Sequence, residues 1–188
     1  AAAAPAPARA CPELGTPRGP PGPPLLLCPG VPEGAPLQAQ KVYSVECPAT
    51  NRLRKVWVVD ARKLRGNDKQ AVSPSFDLVF RGRKLPFKLM IFTKQVTDHK
   101  GGASFKKSHG KGNIQVKCEA DLTEDPMPVE FWICIGCGET QQPAKGPFSH
   151  DFSQGAVCML PEELDEWDFS SVVDQASSTF MVCLEVQL

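Results

Sequence analysis

Apolar positions in the C-terminal two thirds of this chain recur with a period of two. Ile114, Val116, Cys118 and Ala120 alternate with Gln115, Lys117 and Glu119, and Phe180, Val182, Leu184 and Val186 alternate with Cys183, Glu185 and Gln187. Such spacing puts one set on the core face of a β-strand and leaves the other set wet. Two denser runs, Val56 to Val59 and Phe87 to Phe92, are rich in β-branched and aromatic residues, which suit a pleated surface. Between them stand a Gly66, Asn67, Asp68 cluster and the sequence Ser73, Pro74, Ser75, Phe76, both punctuated as turns. Strands are predicted at Val42–Cys47, Val56–Asp60, Phe76–Phe80, Phe87–Phe92, Ile114–Ala120, Val129–Ile135 and Thr179–Leu188, and a short helix at Pro161–Trp167, where a proline opens an acidic run. Many short strands with little helical periodicity predict an all-β chain, an antiparallel β-sandwich of about seven or eight strands or else a barrel.

The beginning of the chain follows another rule. Residues 1–38 hold eleven of the nineteen prolines and almost no aromatic or β-branched residues. A segment so composed cannot bury enough apolar surface to offset its chain entropy, so a disordered Ala/Pro-rich tail is expected there, followed by one domain over residues 41–188. Pro20, Pro21, Gly22, Pro23, Pro24 could form a polyproline ligand, but a linker is the commoner meaning of that composition. No apolar run reaches the ~18 residues that span a bilayer, and Ala1–Ala10 lacks the basic and apolar regions of a secretory signal.

Charge refines this picture by its distribution. Lysine plus arginine equals aspartate plus glutamate at 21 each. Residues 81–117 nonetheless carry ten basic side chains against Asp98 alone, while from Cys118 onward Lys145 opposes fourteen carboxylates. The two blocks either pair across strands or give the surface a dipole. Eight cysteines could form a disulfide framework, but Cys118, Cys134 and Cys183 lie in strand patterns where free cysteine acts as a small hydrophobe, which favours a reducing, cytoplasmic setting.

Trp57 with its flanking valines, then Lys63 and Leu64, the Ser73-Pro74-Ser75-Phe76 corner, Gly82 and the Phe87–Phe92 strand together resemble the opening of the MATH domain, the meprin and TRAF homology module. The segments Ile114–Glu119, Val129–Ile135, Phe148–Phe152, Trp167–Phe169 and Thr179–Val186 follow in similar order, so the resemblance covers about residues 53–188. The family's usual tryptophan after the glycine is replaced near Phe87, and Thr93 and Lys94 stand where Pro-Asn-Gly is common. The resemblance implies an eight-stranded antiparallel sandwich that binds extended peptides of partner proteins.

Candidate chemistry is sparse. Cys134-Ile135-Gly136-Cys137 is a lone CxxC without the second ligand pair of a structural zinc site or the βαβ setting of a redox pair, so no metal is expected. Ser149, His150, Asp151 and Cys158 supply the residue types of a nucleophile system, but neighbours in an extended segment point to opposite faces and no nucleophile elbow surrounds them. Trp57, Trp132 and Trp167 suit packing better than ligand boxes. The glycine-flanked stretch Lys100–Lys111 lacks P-loop spacing and is expected to be a mobile, solvated hairpin loop whose Lys100, Lys106, Lys107 and Lys111 steer an acidic ligand. Phe105 is the one aromatic interleaved among them, which argues against a stacking platform for nucleic acid. The expectation is therefore a protein-interaction module without catalysis or cofactor that binds an extended peptide. Two alternatives stand beside it: a small carbohydrate-binding or hydrolytic sandwich domain, and a binder of anionic surfaces through the 81–117 block.

Overall fold

A computed structural model describes residues 38–47, 51–96, 103–122 and 125–187. Apart from Gln38, the expected tail lies outside these residues, as does Lys100. The described residues form two antiparallel sheets packed as a sandwich. Strands β1 (Lys41–Cys47), β2 (Arg52–Asp60), β7 (Pro128–Ile135), β8 (Lys145–Asp151) and β11 (Thr179–Gln187) make one sheet in the order β1-β2-β11-β7-β8. The other sheet runs β10-β6-β5-β3, from β10 (Trp167–Asp168), β6 (Lys111–Cys118), β5 (Arg83–Thr93) and β3 (Gln70–Val72). Two more strands attach to it, β4 (Phe76–Phe80) on β5 and β9 (Val157–Met159) on β6.

The alternating segments become strands with one buried face. In β6 the even positions Ile114, Val116 and Cys118 point into the core while Asn113, Gln115 and Lys117 are half-exposed. The central strand β2, flanked by β1 and β11, is buried on both faces from Leu53 to Val59, with Arg54 bonded to Glu185 and Lys55 to Ser44 within that stretch. Its inward side carries Trp57 against the inner faces of both sheets, with Phe87, Ile91, Phe131 and Val182 in the same core. On its outward side Val56 joins Met181, Cys134 and Cys183 in a second, smaller apolar cluster.

Three turns show the local logic. Arg81 (φ 48°) and Gly82 (φ 76°) both take left-handed backbone between the paired Phe80 and Arg83, the geometry of a two-residue hairpin whose twist matches its strands. At the Ser-Pro corner, Ser73 exchanges backbone and side-chain bonds with Leu89: its N–H donates to the Leu89 carbonyl at 2.9 Å and its Oγ accepts the Leu89 N–H at 3.0 Å. Gly112 in β6 lies so close to β5 that an added Cβ would be 1.9 Å from the Phe92 carbonyl oxygen.

The predicted helix at Pro161–Trp167 does not form. One turn closes, with the Leu164 N–H on the Pro161 carbonyl at 2.8 Å, and the chain then enters β10 so that Trp167 is buried opposite Gly112. A single turn with Leu164 exposed has no apolar stripe to offset the cost of helix nucleation. Strands β3, β9 and β10 fall below the length at which alternation can be read, and β8 contains Gly146 and Pro147, residues tolerated there because β8 is a sheet edge.

Candidate functional site

The basic loop differs from its expected form. Phe105 is fully buried with its ring edge-on to Phe169 at 6.5 Å, and Ser104 and Ser108 are buried beside it. The Phe105 and Lys106 N–H groups donate to the Asp68 and Gly66 carbonyls at 3.0 and 3.1 Å. The stretch from Ser104 to Gly110 is thus a turn anchored on the core; a buried aromatic at its centre overrides the flanking glycines. Lys106 and Lys107 are exposed on that turn, whereas Lys111 begins β6 with its Nζ 3.7 Å from Glu166 Oε1. Lys94 also binds Glu166, Lys88 binds Glu119 at 2.7 Å, and Arg81 and Arg83 flank Asp125. Much of the basic block therefore faces the C-terminal carboxylates, and the ion pair with Lys94 holds the Glu166 carboxyl below its ordinary range.

The other candidate groups serve local structure. His150 Nε2 lies 2.8 Å from the Gly155 carbonyl, and Asp151 accepts the Met127 and Ser153 N–H groups, which together hold its pKa down. Cys158 faces the core, where burial pushes its thiol up to about 11, so it carries no thiolate at neutral pH. Cys134 is buried, Cys137 is half-buried, and among the described residues no group of three metal-ligating side chains converges. Trp57 and Trp167 are core residues, and Trp132 lies beneath the Arg52 guanidinium at 3.6 Å.

An open feature emerges instead at β9. This strand pairs with β6 through Val157 opposite Lys117, Cys158 opposite Val116 and Met159 opposite Gln115, and no described strand pairs with its other side. The Cys118 N–H donates to the Ala156 carbonyl at 2.8 Å. By the alternation of an antiparallel ladder, Val157 and Met159 then turn their own N–H and C=O groups away from β6, toward the free edge. Their side chains stand on the outer face, 38% and 71% exposed. Register extends that face across the sheet, since Val72 lies opposite Met90, Met90 opposite Gln115 and Gln115 opposite Met159. Val72 is 39% exposed, so exposed apolar side chains stand at both ends of a row that Gln115 interrupts.

Concavities lie at both ends of β9. Before Val157, a groove of about 500 Å³ is lined by Lys117, Glu119, Leu122, Phe152 and Gln154 among others. After Met159, a cleft of about 470 Å³ is walled by Glu162, Asp165 and Glu166 with Asn113, and a lobe of about 190 Å³ continues it to Met159 and Leu160. The cleft opens where β6 changes partners: β9 covers Gln115–Lys117 and β10 covers Lys111–Gly112, leaving Asn113 and Ile114 between them. Sequence reasoning missed this site; its signal was the triplet Val157, Cys158, Met159 between a glycine and a proline, too short to read as a strand. No family model matches the sequence, and no curated protein matches it.

Proposed function

We propose that this domain is a protein-interaction module of the MATH-like kind, which takes up an extended segment of a partner protein along the free edge of β9. The observation that carries the reading is that edge, where Val157 and Met159 turn backbone donors and acceptors outward beside their own exposed apolar side chains. Strand addition uses this combination, with affinity from main-chain hydrogen bonds and specificity from pockets for alternate side chains. The order of elements supports the family reading, since the Trp57 strand, the Ser73 corner, the Gly82 hairpin and the closing strand β11 all serve the sandwich core. A carbohydrate site would gain support from aspartates, histidines or tryptophans converging on a concavity; of the tryptophans, Trp57 and Trp167 are buried in the core and Trp132 is covered by Arg52.

Panning the full chain against phage-displayed random dodecapeptides tests the proposal. Enriched peptides should lose binding to Val157→Pro and Met159→Pro, which remove outward donors at an edge where proline is tolerated, while the melting temperature stays near that of the parent. Failure to enrich any peptide, or enriched peptides indifferent to both prolines, would refute strand addition at β9.

A further inference from the structure

The cleft beyond Met159 has a chemistry of its own, and the inference drawn from it rests on the peptide-binding reading. We infer that it receives a basic side chain of the bound segment, arginine in particular, from a residue just past the one that lies opposite Met159. Glu162 and Asp165 lie on its wall, and among the described residues neither is in a salt bridge. Glu166 beside them is taken by Lys94, which also lines the cleft, and by Lys111, so both lysines are already engaged. Lys145 holds the acidic turn from the other side: its ammonium donates to the Leu164 and Glu166 carbonyls at 3.0 and 2.7 Å and sits 3.9 Å from the Trp167 ring. The carboxylates of Glu162 and Asp165 are therefore presented by a fixed turn.

Three further observations bear on the kind of cation. No three acidic, histidine or cysteine groups converge as metal ligands among the described residues, which disfavours a bare ion. The lobe that continues the cleft reaches the exposed side chain of Met159, a surface suited to the methylene stem of a long basic side chain. Asn113, which lines both lobes, has a buried Oδ1 with no hydrogen-bond partner. A guanidinium offers five donors in a planar fork and can serve two carboxylates together, whereas an ammonium is a point charge with three. Charge complementarity thus fixes the direction of the segment as well as its composition, with its basic end toward Glu162 and Asp165.

The same phage library, panned against the full chain and in parallel against Glu162→Gln/Asp165→Asn, tests this. Peptides enriched on the parent should carry arginine or lysine at a constant distance from an apolar residue, and the double amide variant should enrich the apolar residue without the basic one. A synthetic peptide from the parent selection should bind the variant about tenfold more weakly, the scale of a lost charge-assisted bond. Glu162→Lys/Asp165→Lys should turn the preference toward aspartate and glutamate. These substitutions lie on a surface turn, and an unchanged melting temperature would show that the fold is intact. Peptides enriched without any basic preference, or with one that survives both double variants, would overturn the inference and leave strand addition standing. No enrichment at all would remove the peptide-binding reading first, and the inference with it.

Discussion

The two flanks of the six-stranded sheet are built alike and end differently. On each, two short strands share one long partner: β3 and β4 divide the outer side of β5, and β9 and β10 divide that of β6. On the β5 flank, the corner between the short strands stays in the ladder, because Ser73 supplies through its backbone and hydroxyl the two bonds that Leu89 needs. On the β6 flank, the chain between the short strands swings out through Leu160–Glu166, and a cleft opens beside Asn113 and Ile114. A flank closed by its own hydrogen bonds is scaffold. A flank left open, with outward backbone groups and acids on its rim, is where a partner can add its own.

The contrast is broken most severely at Gly112, the residue joining the two flanks. Gly112→Ala places a methyl group 1.9 Å from the Phe92 carbonyl and close to the Phe169 ring, so β5 and β6 must part. The expected loss is about 3 kcal/mol or more, the upper range of overpacking costs, and urea unfolding measures it. A loss under 1 kcal/mol would mean that the strands separate easily. Ser73→Ala should cost about 1–3 kcal/mol, because the Leu89 N–H is left buried without its acceptor. Peptide affinity should be unchanged in the folded fraction, since the defect lies on the closed flank.

The same contrast explains what the sequence could disclose. Seven strands were readable because alternation or dense β-branched runs persisted for five residues or more, and Ser73, Pro74 and Gly82 marked turns whose geometry these residues favour. The open flank was not readable. Strand β9 is three residues long and β10 two, and both exist only because β6 offers them a ladder, a long-range pairing with no local signature. Trp167 shows the conflict: its acidic neighbours suggested a helix start, while burial of its ring opposite Gly112 imposes extended chain. Among the expected basic site residues, Phe105 was the decisive signal, an aromatic in a polar glycine-rich stretch that marks an anchor on the core.

Acid should distinguish the flanks by a smaller effect. Glu119, which reaches across to the closed flank, is held below its ordinary pKa chiefly by Lys88 and then by Ser75; Glu166, on the open side, chiefly by Lys94. A carboxyl with a lowered folded pKa contributes stability that is present above its unfolded value, about 4.3, and is lost as pH falls through the lower folded value. Urea midpoints should therefore hold steady from pH 7 to 5 and decline below about pH 4. Glu119→Gln and Glu166→Gln should each flatten that decline slightly, and a decline of parent slope in both would remove these pairs as its cause.

The smallest effect is expected where the basic loop was thought to act. Lys106→Ala and Lys107→Ala alter exposed side chains on a turn fixed by Phe105, so stability should change by no more than ~0.5 kcal/mol. Lys111→Ala removes one of two lysines from Glu166, and Lys94 remains, which limits its cost to the ~0.2–1 kcal/mol of an exposed pair. Binding separates the three. If the loop steers an acidic ligand, the triple alanine variant should associate more slowly and with a flatter salt dependence. If the partner instead docks a basic residue at Glu162 and Asp165, Lys111→Ala should leave the cleft more negative and bind it faster at low salt, with Lys106→Ala and Lys107→Ala nearly silent. Association rates of a selected peptide with each single variant, measured across ionic strength, decide between the two, because the signs for Lys111 are opposite.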